Sequence, residues 1–258
     1  MTATQDAPSL TPDITVKPVN RRARQAPFPL SIYQSAIGKK WVMALTGIGL
    51  MGFVVVHMIG NVKMYFGAHD LDAYSESLRS LLYPLLPNHT ILWIMRIGLI
   101  VMFALHLHSA YALTMMNRRA KPVQYQSKRD YIAANFASRT MRWSGILLLV
   151  FIIIHLANLT WGLLPSGIDH RPIMAPAYDN VVLSLGTPWL AAIYIVGQLA
   201  LGVHLFHGAW SIFQSLGINN PRWNNLRKQF AIAFAVIVVG GNLSFPIAVL
   251  TGVVGGNH

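Results

Sequence analysis

The chain has 258 residues, 54% of them hydrophobic and only 11% charged, with a formal net charge of +12. Soluble domains carry about 25% charged residues, so this composition excludes an ordinary water-soluble globule. There is no Cys, which excludes disulfides, thiol catalysis and any iron–sulfur cluster ligated by this chain alone.

Residues 1–27 are polar, hold Pro8, Pro12 and Pro18, and lack the apolar run of a signal peptide. We take 1–27 as flexible, 1–35 as a polar N-terminal tail and 36–258 as one domain. A bilayer crossing needs about 20 apolar residues at about 1.5 Å rise each. The first such stretch is 41–62. The run "DLDAYSESLRSLL" within 67–89 predicts a short surface helix ended near Pro84 and Pro87. A second span covers 90–115, a basic polar segment 117–141, and a third span 143–164. The segment 165–187 is rich in Pro and Gly and reads as a loop, and spans four and five cover 188–213 and 230–252. The expected fold is therefore all-α, an integral membrane bundle of five transmembrane helices.

Charge sets the expected orientation. Lys39 and Lys40 precede span one, Arg118, Arg119, Lys121 and Lys128 lie between spans two and three, and Arg222, Arg227 and Lys228 lie between four and five. Asp70, Asp72, Glu76, Asp169 and Asp179 lie on the other side. The positive-inside rule puts the N-terminus in the cytoplasm and the C-terminus outside, across the cell (plasma) membrane. The basic residues are thus explained by topology, with no nucleic acid as partner.

Four spans each carry His deep in apolar sequence: His57, His106 or His108, His155, and His204 or His207. Polar groups inside a bilayer are costly and mark function more often than chance. Helix rise gives their depth. His57 and His155 are roughly 24 Å and 20 Å from the inner ends of their spans, and His106 and His204 are each roughly 24 Å from the outer ends. In a core roughly 30 Å thick, His57 and His155 share an outer layer, and His106 and His204 an inner one, roughly 15 Å apart. Neutral imidazole is a strong axial ligand for iron, and bundle cores are where facing helices build cofactor sites. Two bis-His layers suit two b-type haems. Gly47, Gly49, Gly52, Gly60, Ala110, Gly145, Gly202 and Gly208 either let a flat macrocycle approach or simply let helices pack closely.

A weak internal repeat supports the choice among the His. "TGIGLMGFVVVH" runs from Thr46 to His57 and "SGILLLVFIIIH" from Ser144 to His155. His106-Leu107 matches His204-Leu205. His106 and His108 are about 200° apart around a helix, so one haem cannot take both, and the repeat favours His106. His108 and His207 remain alternates.

At these residues the sequence resembles a known family, the cytochrome b membrane anchor of succinate:quinone oxidoreductase (succinate dehydrogenase or fumarate reductase, complex II). It is similar to the single-chain, five-helix, diheme form, and most of all to actinobacterial members. The matching pieces are "VHMIGNVK" at 56–63, "LHLHSAYALT" at 105–114, "SGILLLVFIIIHLANLTWG" at 144–162 and "VHLFHGAWSIFQSLGI" at 203–218. The resemblance implies docked flavoprotein and iron–sulfur subunits, two haem b, and menaquinone or a related quinone as acceptor. It implies His57 with His155, and His106 with His204, as axial ligands. It implies no dehydrogenase active site in this chain. The spans hold no Asp or Glu, whereas some diheme relatives use an intramembrane acid for proton transfer, so the likeness does not extend to that path.

Arg96, Arg142, Ser144, Asn61 and Asn158 are candidates for contact with a haem propionate or a quinone, against snorkelling, helix starts and helix–helix hydrogen bonds. Two other functions compete. One is a haem-free quinone-binding anchor whose His help ligate an iron–sulfur cluster completed by Cys from a partner. The other is a transporter with a His relay, against which the sequence shows no inverted repeat and no Pro-broken helix pair.

Overall fold

The computed structural model describes residues 27–28, 30–120, 132–164, 176–218 and 220–256, with backbone alone for 132–139. The tail up to 26, Lys121, Lys128 and Asp169 lie outside the described residues. The helices are α1 (Leu30–Gln34), α2 (Ala36–Asn61), α3 (Ala68–Arg79), α4 (Thr90–Arg119), α5 (Ile132–His155), α6 (Ala177–Gly186), α7 (Pro188–Ser215) and α8 (Asn224–Leu250). Among the described residues there is no strand, and five helices are long and apolar enough to cross a membrane. The protein is a multi-pass membrane protein. Lipid offers no hydrogen bonds to the backbone, so each crossing segment satisfies its own as a helix.

The crossings outrun the apolar runs. Ser35 caps α2 by accepting from the Gly38 amide at 2.9 Å, and a 3-10 turn (Val62–Phe66) extends it to 66. Pro188 opens α7 at the position where a missing N–H costs nothing. α5 ends in a π-helical turn, Leu156–Thr160, that starts directly after His155.

Two short elements differ from expectation. α3 ends at Arg79, before either proline. The Arg79 carbonyl is taken by the His89 amide at 2.6 Å and Leu82 adopts a left-handed φ of 64°, so the chain has already turned before Pro84. The stretch expected as a loop contains α6, Ala177–Gly186. Tyr178, Val181, Val182 and Leu185 lie on one helical face and pack into a cluster with Met64, Leu71, Tyr194, Phe245 and Val249. The Tyr178 amide donates to Asp72 Oδ1 at 3.0 Å, tying α6 to α3. Together they cap the acid-bearing end of the bundle.

The middle of the bundle is α7, which packs on α2, α5, α6 and α8. Its buried Ala191, Gly197, Ala200 and Ala209, with Ala231, Ala235 and Ala248 of α8, let backbones approach, as membrane helices require where no hydrophobic force pulls them together. α2 packs on α4, α7 and α8. At the basic end two cations do more than set topology. Lys39 is buried, and its Nζ donates to the Tyr33 and Gln34 carbonyls at 2.8 and 3.2 Å, capping α1. Buried Arg227 donates to the Ile218 carbonyl at 2.7 Å and to Asn224.

Candidate cofactor-binding site

The four His fall into two pairs. His57 of α2 and His155 of α5 have ring centroids 5.9 Å apart with planes at 89°. His106 of α4 and His204 of α7 lie 6.3 Å apart with planes at 66°. In both cases the rings come from helices that are not close-packed neighbours. The two rings of each pair face one another without a hydrogen bond between them.

The pair at the basic end is held from behind. Thr46 Oγ1 lies 3.2 Å from His106 Nδ1 and 2.6 Å from the Val42 carbonyl. Ser144 Oγ lies 3.3 Å from His204 Nδ1 and 3.1 Å from the Met141 carbonyl. Both hydroxyls are buried, with residue exposures of 7% and 4%. The neighbouring glycines leave room for the rings. A Cβ at Gly47 would touch His106 Cε1 at 3.5 Å, and one at Gly145 would touch His204 Cε1 at 3.6 Å. Thr46 marks the level of this pair on α2, and His57 follows eleven residues later, as His155 follows Ser144. The two layers are therefore roughly 16 Å apart by helix rise.

The pair at the acidic end is held differently. Among the described residues His155 Nδ1 is buried without a hydrogen-bond partner. Its ring sits between Phe151, at 5.8 Å, and Tyr194, at 5.7 Å, while His57 stacks on Phe53 at 5.4 Å. Beyond it Asn158, 6% exposed, donates to Tyr194 Oη at 3.2 Å and accepts from Ser184 Oγ at 3.3 Å. Both ends of that amide are thus engaged within the bundle.

The other candidates lie apart from the pairs. His108 bonds through Nδ1 to the Tyr33 hydroxyl of α1. His207 Nε2 meets Thr140 Oγ1 at 3.0 Å. Arg96 is exposed and stacks over Trp93 at 5.2 Å, and Arg142 is exposed. Asn61 is half-buried and makes no side-chain hydrogen bond among the described residues. Of the remaining glycines, Gly49, Gly60 and Gly202 face Met102, Tyr74 and Val239, which is close helix packing, while Gly52 and Gly208 meet nothing within 4 Å.

The donor set limits the chemistry. Among the described residues no three His, Cys, Asp or Glu side chains gather in one place. A tetrahedral metal site or an iron–sulfur cluster asks for more ligands than a pair supplies. Haem iron takes only axial ligands from the protein, and two imidazoles on facing helices meet that need. The sequence points to all four rings but not to Thr46, Tyr33, Tyr194 or Ser184. Thr46 is within reach of sequence reasoning, since the repeat aligns it with Ser144. Nothing in the sequence sets the other three apart from their neighbours.

A family model for the succinate dehydrogenase/fumarate reductase transmembrane subunit matches residues 114–242, half of the chain. No curated protein and no solved structure matches. The matched region includes His155, His204 and Ser144, whereas His57, His106 and Thr46 precede it.

Proposed function

The chain belongs to the succinate dehydrogenase/fumarate reductase transmembrane subunit family, and from that premise we propose that it is the diheme cytochrome b anchor of the complex. In this reading it holds the flavoprotein and iron–sulfur subunits against the membrane and delivers their electrons to a quinone of the menaquinone class. The observation that carries the proposal is the convergence of four intramembrane His into two facing pairs, 5.9 and 6.3 Å between ring centroids. His57 with His155, and His106 with His204, would each hold one haem b. Bound haem would supply a one-electron carrier at each of two depths, so that the two electrons of succinate oxidation could pass singly through the membrane domain to the quinone.

The protein's own groups orient and insulate. Thr46 and Ser144 fix two of the rings, and the apolar spans, with lipid against the exposed His57, keep water from the pairs. The basic end carries exposed Lys40, Arg118, Arg119 and Lys228 and is the docking face, on the cytoplasmic side, with Arg142 near it as a contact for a propionate. The quinone is received toward the opposite end, where Asn61 has an uncommitted amide and Arg96 a cation beside Trp93. Residues 36–258 act as one membrane domain of the plasma membrane, preceded by the N-terminal segment 1–35, whose α1 packs on α2.

The test is spectroscopic. Purified complex should show a b-type α band in the reduced-minus-oxidised difference and two protoporphyrin haems per chain by pyridine haemochrome. None, or one, sinks the two-haem reading.

A further inference from the structure

Thr46 and Ser144 occupy the same place in two copies of one motif. Each is a hydroxyl followed by glycine near the start of its span, each is buried, and each meets Nδ1 of a His on the partner helix. The proton of each hydroxyl is already committed. Thr46 Oγ1 donates to the Val42 carbonyl at 2.6 Å, well inside its 3.2 Å to His106. Ser144 Oγ donates to the Met141 carbonyl at 3.1 Å. A hydroxyl has one proton and spare lone pairs, so with that proton on a carbonyl each oxygen is an acceptor toward the imidazole and Nδ1 carries the hydrogen, with the Met43 carbonyl beside His106 and the Met141 carbonyl beside His204 as further acceptors. That leaves Nε2 of His106 and of His204 as the lone-pair nitrogen. The other layer lacks the device, since His155 Nδ1 is buried without a partner among the described residues.

We infer that Thr46 and Ser144 are a matched pair of positioning residues that fix the tautomer and electron donation of His106 and His204, and so set the potential of the inner site apart from the outer one. The inference rests on the reading that His106 and His204 hold haem iron. An imidazole whose N–H donates to an acceptor is the more basic ligand, which favours ferric over ferrous iron and lowers the potential. The glycines belong to the same device. A methyl at Gly47 or Gly145 would only touch the ring, but a larger side chain would push it off its hydroxyl.

The test uses purified native complex and complexes carrying Thr46→Val, Ser144→Ala, both together, and the conservative Thr46→Ser and Ser144→Thr. Loss of one acceptor should change the ferric-to-ferrous binding ratio of the inner site about tenfold, which for a one-electron couple is about 59 mV. The potential of the inner component rises in each single variant and further in the double. The outer component keeps its potential and serves as internal control, and the conservative variants restore the native value. Haem retention at the inner site falls roughly 10–100-fold in the double variant. An unchanged inner potential in both single variants overturns the inference, as does an equal shift of both components. If Thr46→Val fails to assemble, Ser144→Ala, which deletes one oxygen, carries the measurement. Assembly lost in both, with no recovery in the conservative variants, reduces the hydroxyls to packing and also overturns it. Absence of haem from the native complex is a separate outcome that removes the parent reading.

Discussion

His106 and His108 stand two residues apart on α4 and answer to different neighbours. The helix turns about 200° between them, which sends one ring to His204 and Thr46 and the other to Tyr33 of α1. His207 stands one turn beyond His204 on α7, on the same side of the helix, and differs from it by its partner, since it meets Thr140. Ligand variants should therefore remove components in pairs. His57→Ala and His155→Ala lose the same b component in a redox titration of the purified complex, and His106→Ala and His204→Ala lose the other. His108→Ala keeps both, at the cost of loosening α1. If His57→Ala and His155→Ala remove different components, the pairing is wrong. If His108→Ala removes the inner component and His106→Ala does not, the ring at Tyr33 is the ligand.

At the scale of elements, the π-helical turn after His155 brings Asn158 onto Tyr194 of α7 and Ser184 of α6. Three buried polar groups thereby lock the acid-end cap to the two helices beside the outer pair. Removing the centre strands the other two, which costs about 1–3 kcal/mol in a dry interior. Asn158→Ala should lower the thermal midpoint of the solubilised complex by several degrees. Asn61→Ala, which breaks no bond, should stay within about 0.5 kcal/mol of wild type and instead raise KM for quinone. Equal stability of the two variants would remove the structural role of Asn158, and an unchanged KM would remove Asn61 from the quinone site.

The same elements show what sequence could and could not reveal. Five spans and the depth of their His follow from length, hydropathy and helix rise, since lipid leaves few alternatives to a helix. The pattern of α6 was also present, as Tyr178, Val181, Val182 and Leu185, but the Pro and Gly around it spoke for a loop. Its helix is secured by burial against α3 and α8 and by the Asp72 carboxylate, contacts made only in the folded protein. The repeat aligns Thr46 with Ser144, but its contact with His106 was hidden for a similar reason. A hydroxyl in a span normally returns its proton to its own helix, and Thr46 does so. Only the fold shows that its lone pair faces a second helix.

For the whole molecule, the two-layer plan gives direction to the protein, because the hydroxyl-backed pair lies toward the basic end and the unbacked pair toward the acidic cap. A docked electron donor should meet the basic end, where Lys228 is exposed at the start of α8 and where Lys121 and Lys128 fall in sequence. Lysine-directed crosslinking of native membranes should join these residues to the iron–sulfur subunit. Stable isolation of the lone chain with no such crosslink would count against docking there. Orientation can be read independently, because the absence of Cys makes any introduced thiol the single one on this chain. Thr4→Cys should react with an impermeant maleimide only after the cells are opened, and Asn257→Cys should react on intact cells. The reverse labelling would place the basic end outside, against the charge asymmetry of the loops, and would put the docked subunits on the wrong side of the membrane for the proposed function.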